Sequence, residues 1–137
     1  MGSKYRELKM LENLKKLAQD MSNDFSMLNY KNLTSPGYGN YICYKLECHG
    51  LRVVTITNRE VEIVTKVGVY EDKNKEPKLY CNKVKYHTPM LDYDKMKGIC
   101  YASVKKFLAL LPEAEKQIKE LRMKKKLSDV EKDFNED

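Results

Sequence analysis

Between Tyr38 and His87 the hydrophobic residues recur at every second position rather than every 3.6, and this period commits the middle of the chain to β-sheet. Alternate side chains on a strand point to opposite faces, so one face can bury apolar groups while the other meets solvent or a ligand. The first strand is expected over Tyr38 to Cys48. Its Ile42, Tyr44, Leu46 and Cys48 share one face, and Tyr41, Cys43, Lys45 and Glu47 share the other. His49-Gly50 reads as a two-residue hairpin turn, because glycine takes a left-handed position easily and histidine tolerates one. The second strand is Leu51 to Thr57, with a β-branched centre. Asn58-Arg59 is a second tight turn, and the third strand follows over Glu60 to Tyr70. A polar loop leads to the fourth strand, Lys78 to His87. On that strand Tyr80, Val84 and Tyr86 are expected on one side, with Lys83, Lys85 and His87 on the other. Short connections favour an antiparallel meander.

The flanks have the other period. Leu8, Leu11, Leu14, Leu17, Met21, Phe25 and Leu28 form one stripe at steps of three and four, which predicts a helix over Met1 to Asn32. Ser22-Asn23-Asp24 is its weak point, since these side chains compete for backbone hydrogen bonds. After the strands, Asp92 is a good N-cap for a helix carrying Met96, Ile99, Cys100, Val104, Phe107, Leu108 and Leu111. Pro112 is expected to kink that helix or start a new one. Ala114, Ile118 and Leu121 continue a narrow stripe. The fold expected is therefore α+β: a four-stranded antiparallel meander with a long N-terminal helix and a kinked C-terminal helical segment on one face, in the order α-β-β-β-β-α-α. Residues 1–127 form one domain in this reading, and 128–137 an acidic, frayed tail.

At 137 residues the chain is long enough to bury a core without disulfides or metal. No stretch approaches the ~20 apolar residues of a membrane span. No basic, apolar, small-residue order marks a secretory leader, so the four cysteines fit a reducing, cytoplasmic setting. They lack a C-x-x-C pair, and Cys43 and Cys48 stand an odd number apart on one strand. That spacing argues against a zinc site and for buried thiols. The histidines, His49 and His87, have no motif around them, and no nucleophile, metalloprotease or phosphate-loop pattern occurs. A non-enzymatic protein without cofactor or metal is the expectation.

The functional signal is tyrosine and lysine. Ten Tyr accompany no Trp, and the formal net charge is +6. Tyr41 and Tyr80 interleave with Lys45, Lys66, Lys83 and Lys85 on the predicted strands. Bases stack on aromatic rings and lysines neutralise phosphates, so these residues suit single-stranded DNA or RNA. The basic run Lys116–Lys126, with Lys119, Arg122, Lys124 and Lys125, would add phosphate contacts. The order of four antiparallel strands followed by a helix resembles the whirly-type single-strand-binding arrangement in topology, without a shared motif and with a long first helix added. The alternative is a protein-interaction module (an adaptor, inhibitor or accessory assembly component) without nucleic-acid contact. Seven Met, several on helix stripes, suit adaptable packing against such a partner. A short heptad-like step, Leu111, Ala114, Ile118 and Leu121, suits docking on the same domain or on a second copy, as a homodimer.

Overall fold

Five antiparallel strands, not four, make the sheet. The computed structural model describes residues 2–34, 42–87 and 92–135. Helix α1 spans Gly2–Asp24, followed by β1 Asn29–Asn32, β2 Cys43–Cys48, β3 Leu51–Thr57, β4 Glu60–Glu71, β5 Pro77–His87 and helix α2 Tyr93–Asn135. The strands lie side by side in chain order.

The additional strand lies where a helix was expected. The helix ends at Asp24, at the Ser22-Asn23-Asp24 weak point, and Asn29–Asn32 pairs with Glu47 back to Tyr44. Tyr30 Cα faces that of Leu46 across the ladder, and the Tyr30 and Tyr44 rings stack with centroids 6.0 Å apart. Leu28 keeps its place in the apolar stripe and is buried, but it sits beyond the helix end. The first predicted strand is thus the second in the sheet, and its Tyr38–Tyr41 part lies outside the described residues.

Turn chemistry follows the sequence at β2–β3. His49 and Gly50 have φ of 52° and 77°, as a two-residue hairpin turn requires. The β3–β4 turn uses a different device. Thr57 Oγ1 accepts from the backbone N–H of Arg59 and of Glu60 and donates to the Glu60 carbonyl, so neither turn residue needs positive φ. Asp72 organises the β4–β5 loop likewise. Its carboxylate accepts from the N–H of Glu76 and Asn74, each at 2.9 Å, and lies 3.3 Å from Lys78 Nζ. These donors hold its pKa below the usual carboxylate value, the Glu76 N–H foremost.

The core lies between sheet and helices. Leu14, Leu17 and Met21 of α1 meet Leu46 of β2, Val54 and Ile56 of β3, Ile63 of β4, and Val104 and Phe107 of α2 in one cluster. An irregularity at Val64–Lys66 leaves one extra residue on β4 relative to β5. Consequently β5 presents Leu79 and Cys81 to the core below the break and Val84 and Tyr86 above it. The expected grouping of Tyr80 with Val84 and Tyr86 fails for this reason. Tyr80 instead lies across Gly68, where a Cβ would come within 2.6 Å of its ring. The missing side chain makes that approach possible.

Helix α2 is a single element of 43 residues with Pro112 inside it, rather than two segments. Asp92 caps it as expected, its Oδ1 accepting from the Lys95 N–H at 2.7 Å. Proline cannot donate to the preceding turn, but Leu111 and Ala114 on either side are both buried in the core. Tertiary packing carries the helix across the gap. The helix then continues into the acidic segment, through Asn135, for a length of ~65 Å.

Candidate functional site

On the face turned from the core, one row crosses all five strands and is charged on every strand but β3. In register, Lys31 faces Lys45, Lys45 faces Thr55, Thr55 faces Glu62, and Glu62 faces Lys85. Carboxylates occupy the same surface as the lysines. Lys31 Nζ lies 2.9 Å from Glu47 Oε2, and this hydrogen bond holds the Glu47 carboxyl below its ordinary pKa. Lys85 Nζ lies 3.5 Å from Glu60 and 3.9 Å from Glu62, and Lys83 Nζ is 3.9 Å from Glu62. Lysines on an edge strand such as β5 also discourage strand-to-strand aggregation.

The residues expected to form one nucleic-acid platform are spread over three places. Lys83 and Lys85 lie on β5 beside their carboxylates. Tyr80 lies lower on the same strand, edge-on to Tyr70 with centroids 6.2 Å apart, near Lys66 across the ladder. Lys45 is three strands away on β2. Tyr41 lies outside the described residues. The helix cations form their own group. Arg122 Nε lies 3.2 Å from Glu76 Oε1, and Lys125 Nζ 3.7 Å from Glu76 Oε2 and 3.3 Å from the Asn74 carbonyl. Lys119 and Arg122 border a shallow hollow with Leu79, Ile118, His49 and Glu115. His49 Nδ1 lies 2.8 Å from Glu115 Oε1. Among the described residues Lys45, Lys66, Lys119 and Lys124 have no carboxylate within ion-pair distance.

The cysteines are placed as thiols in a core. Cys43, Cys48 and Cys100 are buried and all four are unbridged. Burial pushes the Cys100 thiol up to about 12 and raises Cys48 and Cys81 as well, which keeps them protonated and poorly nucleophilic at neutral pH. Among the described residues no group of three or more His, Cys, Asp or Glu could hold a metal ion, and no helix is long and apolar enough to cross a membrane. A groove of about 610 Å³ opens between α1 and the start of α2, lined chiefly by Tyr5, Met10, Leu14, Tyr93 and Met96.

The surface that sequence reasoning missed is the far end of α2. Met123, Leu127, Val130 and Phe134 are 64%, 61%, 49% and 78% exposed. Their steps of four, three and four place them in one line on the helix. That spacing was present in the sequence, inside a stretch that its charge had marked as a tail. The opposite side of the same helix faces the domain: Ile118 and Leu121 are half-buried, and Arg122 and Lys125 reach the β4–β5 loop. Comparison of the chain with protein-family models, with curated proteins and with solved structures finds no match.

Proposed function

We propose that this protein is a non-enzymatic protein-interaction module whose contact surface is the distal third of α2. The observation that carries the reading is the line Met123, Leu127, Val130 and Phe134: four large apolar side chains in one line on a helix end that projects beyond its last contacts with the domain, at Arg122 and Lys125. An amphipathic helix with a free apolar stripe is suited to lie against a complementary helix or groove. Burying such a stripe yields roughly 25 cal/mol per Å² before the costs of association. Met123, on the stripe itself, supplies adaptable packing.

A second reading, binding of single-stranded nucleic acid, is favoured by one specific observation. Lys119 and Lys124 are exposed and have no carboxylate within ion-pair distance among the described residues, within a run of six cations from Lys116 to Lys126. Tyr70 and Tyr80, beside Lys66, would offer rings for stacking.

One pair of variants separates the readings. Leu127→Glu with Val130→Glu is expected to abolish nuclease-resistant capture of a protein partner by the full chain, leaving the fold unchanged. Lys66→Glu with Lys119→Glu is expected to leave that capture in place. If instead labelled single-stranded DNA or RNA binds with steep salt dependence and the lysine variant alone loses it, the second reading holds.

A further inference from the structure

We infer that the distal stripe of α2 pairs antiparallel with the same stripe of a second copy of this chain. The inference rests on the reading of this helix end as a protein contact, and it names the partner. It is carried by how charge is distributed beside the stripe. In heptad terms Leu127 and Phe134 take position a, and Met123 and Val130 take position d. Arg122 and Lys125, the residues held by Glu76, then fall at c and f, the side away from the stripe. The domain therefore holds the start of this segment from behind, at Arg122 and Lys125, and the a/d line runs outward and on beyond it.

An antiparallel pair centred between Ser128 and Asp129 sets Leu127 against Val130 of the second copy, and Met123 against Phe134. Both are a-to-d layers, as antiparallel packing requires, and symmetry repeats each one. The flanking e and g positions are Lys124 and Glu131, and Lys126 and Asp133. In this arrangement Lys124 lies beside Glu131 of the second copy and Lys126 beside Asp133, and both recur by symmetry. All four flanking pairs are opposite in sign. At the scale of the whole segment, the basic run up to Lys126 lies along the acidic run from Asp129 of the other chain. A parallel pair keeps Lys126 beside Glu131 but puts Lys119 beside Lys124, twice, and lays like charge along like charge. Charge thus selects the antiparallel mode, with a twofold axis and an isologous contact.

The stripe covers fewer than two heptads, so the dimer dissociates on dilution. Its helices are already formed as extensions of folded domains, which removes the ordering cost that a free peptide of this length would bear.

Sedimentation equilibrium of the full chain from micromolar to near-millimolar concentration tests this. The expected result is a rise from 16.1 kDa towards twice that mass. Leu127→Glu with Val130→Glu is expected to stay monomeric with an unchanged melting curve, since both positions are exposed. Lys124→Glu discriminates direction. It sets glutamate beside glutamate in the antiparallel dimer and weakens it roughly tenfold, and adding Glu131→Lys restores it. In a parallel dimer Lys124→Glu would face Lys119 and tighten the contact, which would overturn the inference. A wild-type chain that stays monomeric throughout also overturns self-pairing. The wider reading is then judged separately: a different polypeptide captured through Leu127 and Val130 would leave it standing, and no capture would remove it as well.

Discussion

Leu46→Ala is expected to destabilise the protein by about 3 kcal/mol, within the range for truncating a fully buried leucine. Leu46 has no solvent exposure and sits on β2 between two paired strands, its Cα opposite those of Tyr30 on β1 and Val54 on β3. The lost methyl groups leave a cavity that two flanking strands and α1 cannot close without breaking the ladder. For a domain of this size the melting temperature should fall by roughly 10 °C. Leu127→Ala provides the contrast. Its side chain is 61% exposed, so in the monomer the change should stay within about 0.5 kcal/mol. Denaturant titration of both variants at low protein concentration checks the pair. A loss from Leu127→Ala as large as that from Leu46→Ala would contradict the placement of Leu127 on a free part of α2.

The second large effect concerns the contact between the helices. Tyr93 Oη donates to Asp20 Oδ2 at 3.1 Å, and Tyr101 Oη donates to Asp24 Oδ2 at 2.6 Å. These two bonds tie the last turns of α1 to the first turns of α2. The Tyr101 ring also rests 5.1 Å from that of Phe25, and the ammonium groups of Lys16 and Lys97 lie over the Tyr93 and Tyr101 rings. Tyr93→Phe with Tyr101→Phe removes two hydrogen bonds to carboxylates while keeping the rings, at an expected cost of about 2 kcal/mol in total.

The effect has a defined dependence on pH. Burial, then the Asp20 carboxylate, pushes the Tyr93 phenol up to about 12, and burial with Asp24 raises Tyr101 further. A folded-state pKa above the unfolded value of 10 means that the folded protein holds these protons more tightly. The contribution is therefore complete below pH 10 and is lost as pH rises from there through about 12. The gap between wild type and the double Phe variant should be full at pH 8 and narrow as pH climbs through that window. A gap that stays constant to pH 12 would contradict the assignment.

The parts of the fold that could be read in advance are those whose signal is local. The Asp92 cap and the His49-Gly50 turn depend on a few adjacent residues, and both occur where those residues predict them. Strand β1 is different. Asn29-Tyr30-Lys31-Asn32 has one apolar residue, no alternation and poor strand formers, and it becomes a strand only because β2 offers an edge beside it. The shift at Val64–Lys66 was also hidden, because the odd-numbered valines of β4 keep their period while its partner β5 changes phase. Pro112 starts no new segment, because the helix runs on through it. The local rule against interior proline is sound, but buried Leu111 and Ala114 outweigh it.

The same distinction explains the site. Lysine and tyrosine were legible as residue types, but the carboxylates that lie beside Lys83 and Lys85 come from β4 through the register. The apolar stripe on α2 needed two facts at once: that the helix continues past Lys126, and that Glu76 holds the start of this segment on its other side, at Arg122 and Lys125. The first looked like a charged tail and the second is purely tertiary.

Photocrosslinking of the full chain in cell extract tests the central claim most directly, with p-benzoylphenylalanine placed at position 127 in one preparation and at position 83 in another. A discrete protein adduct is expected from position 127, to a second copy or to another polypeptide, and none from position 83. Adducts confined to position 83, whether to nucleic acid or to protein, would contradict it.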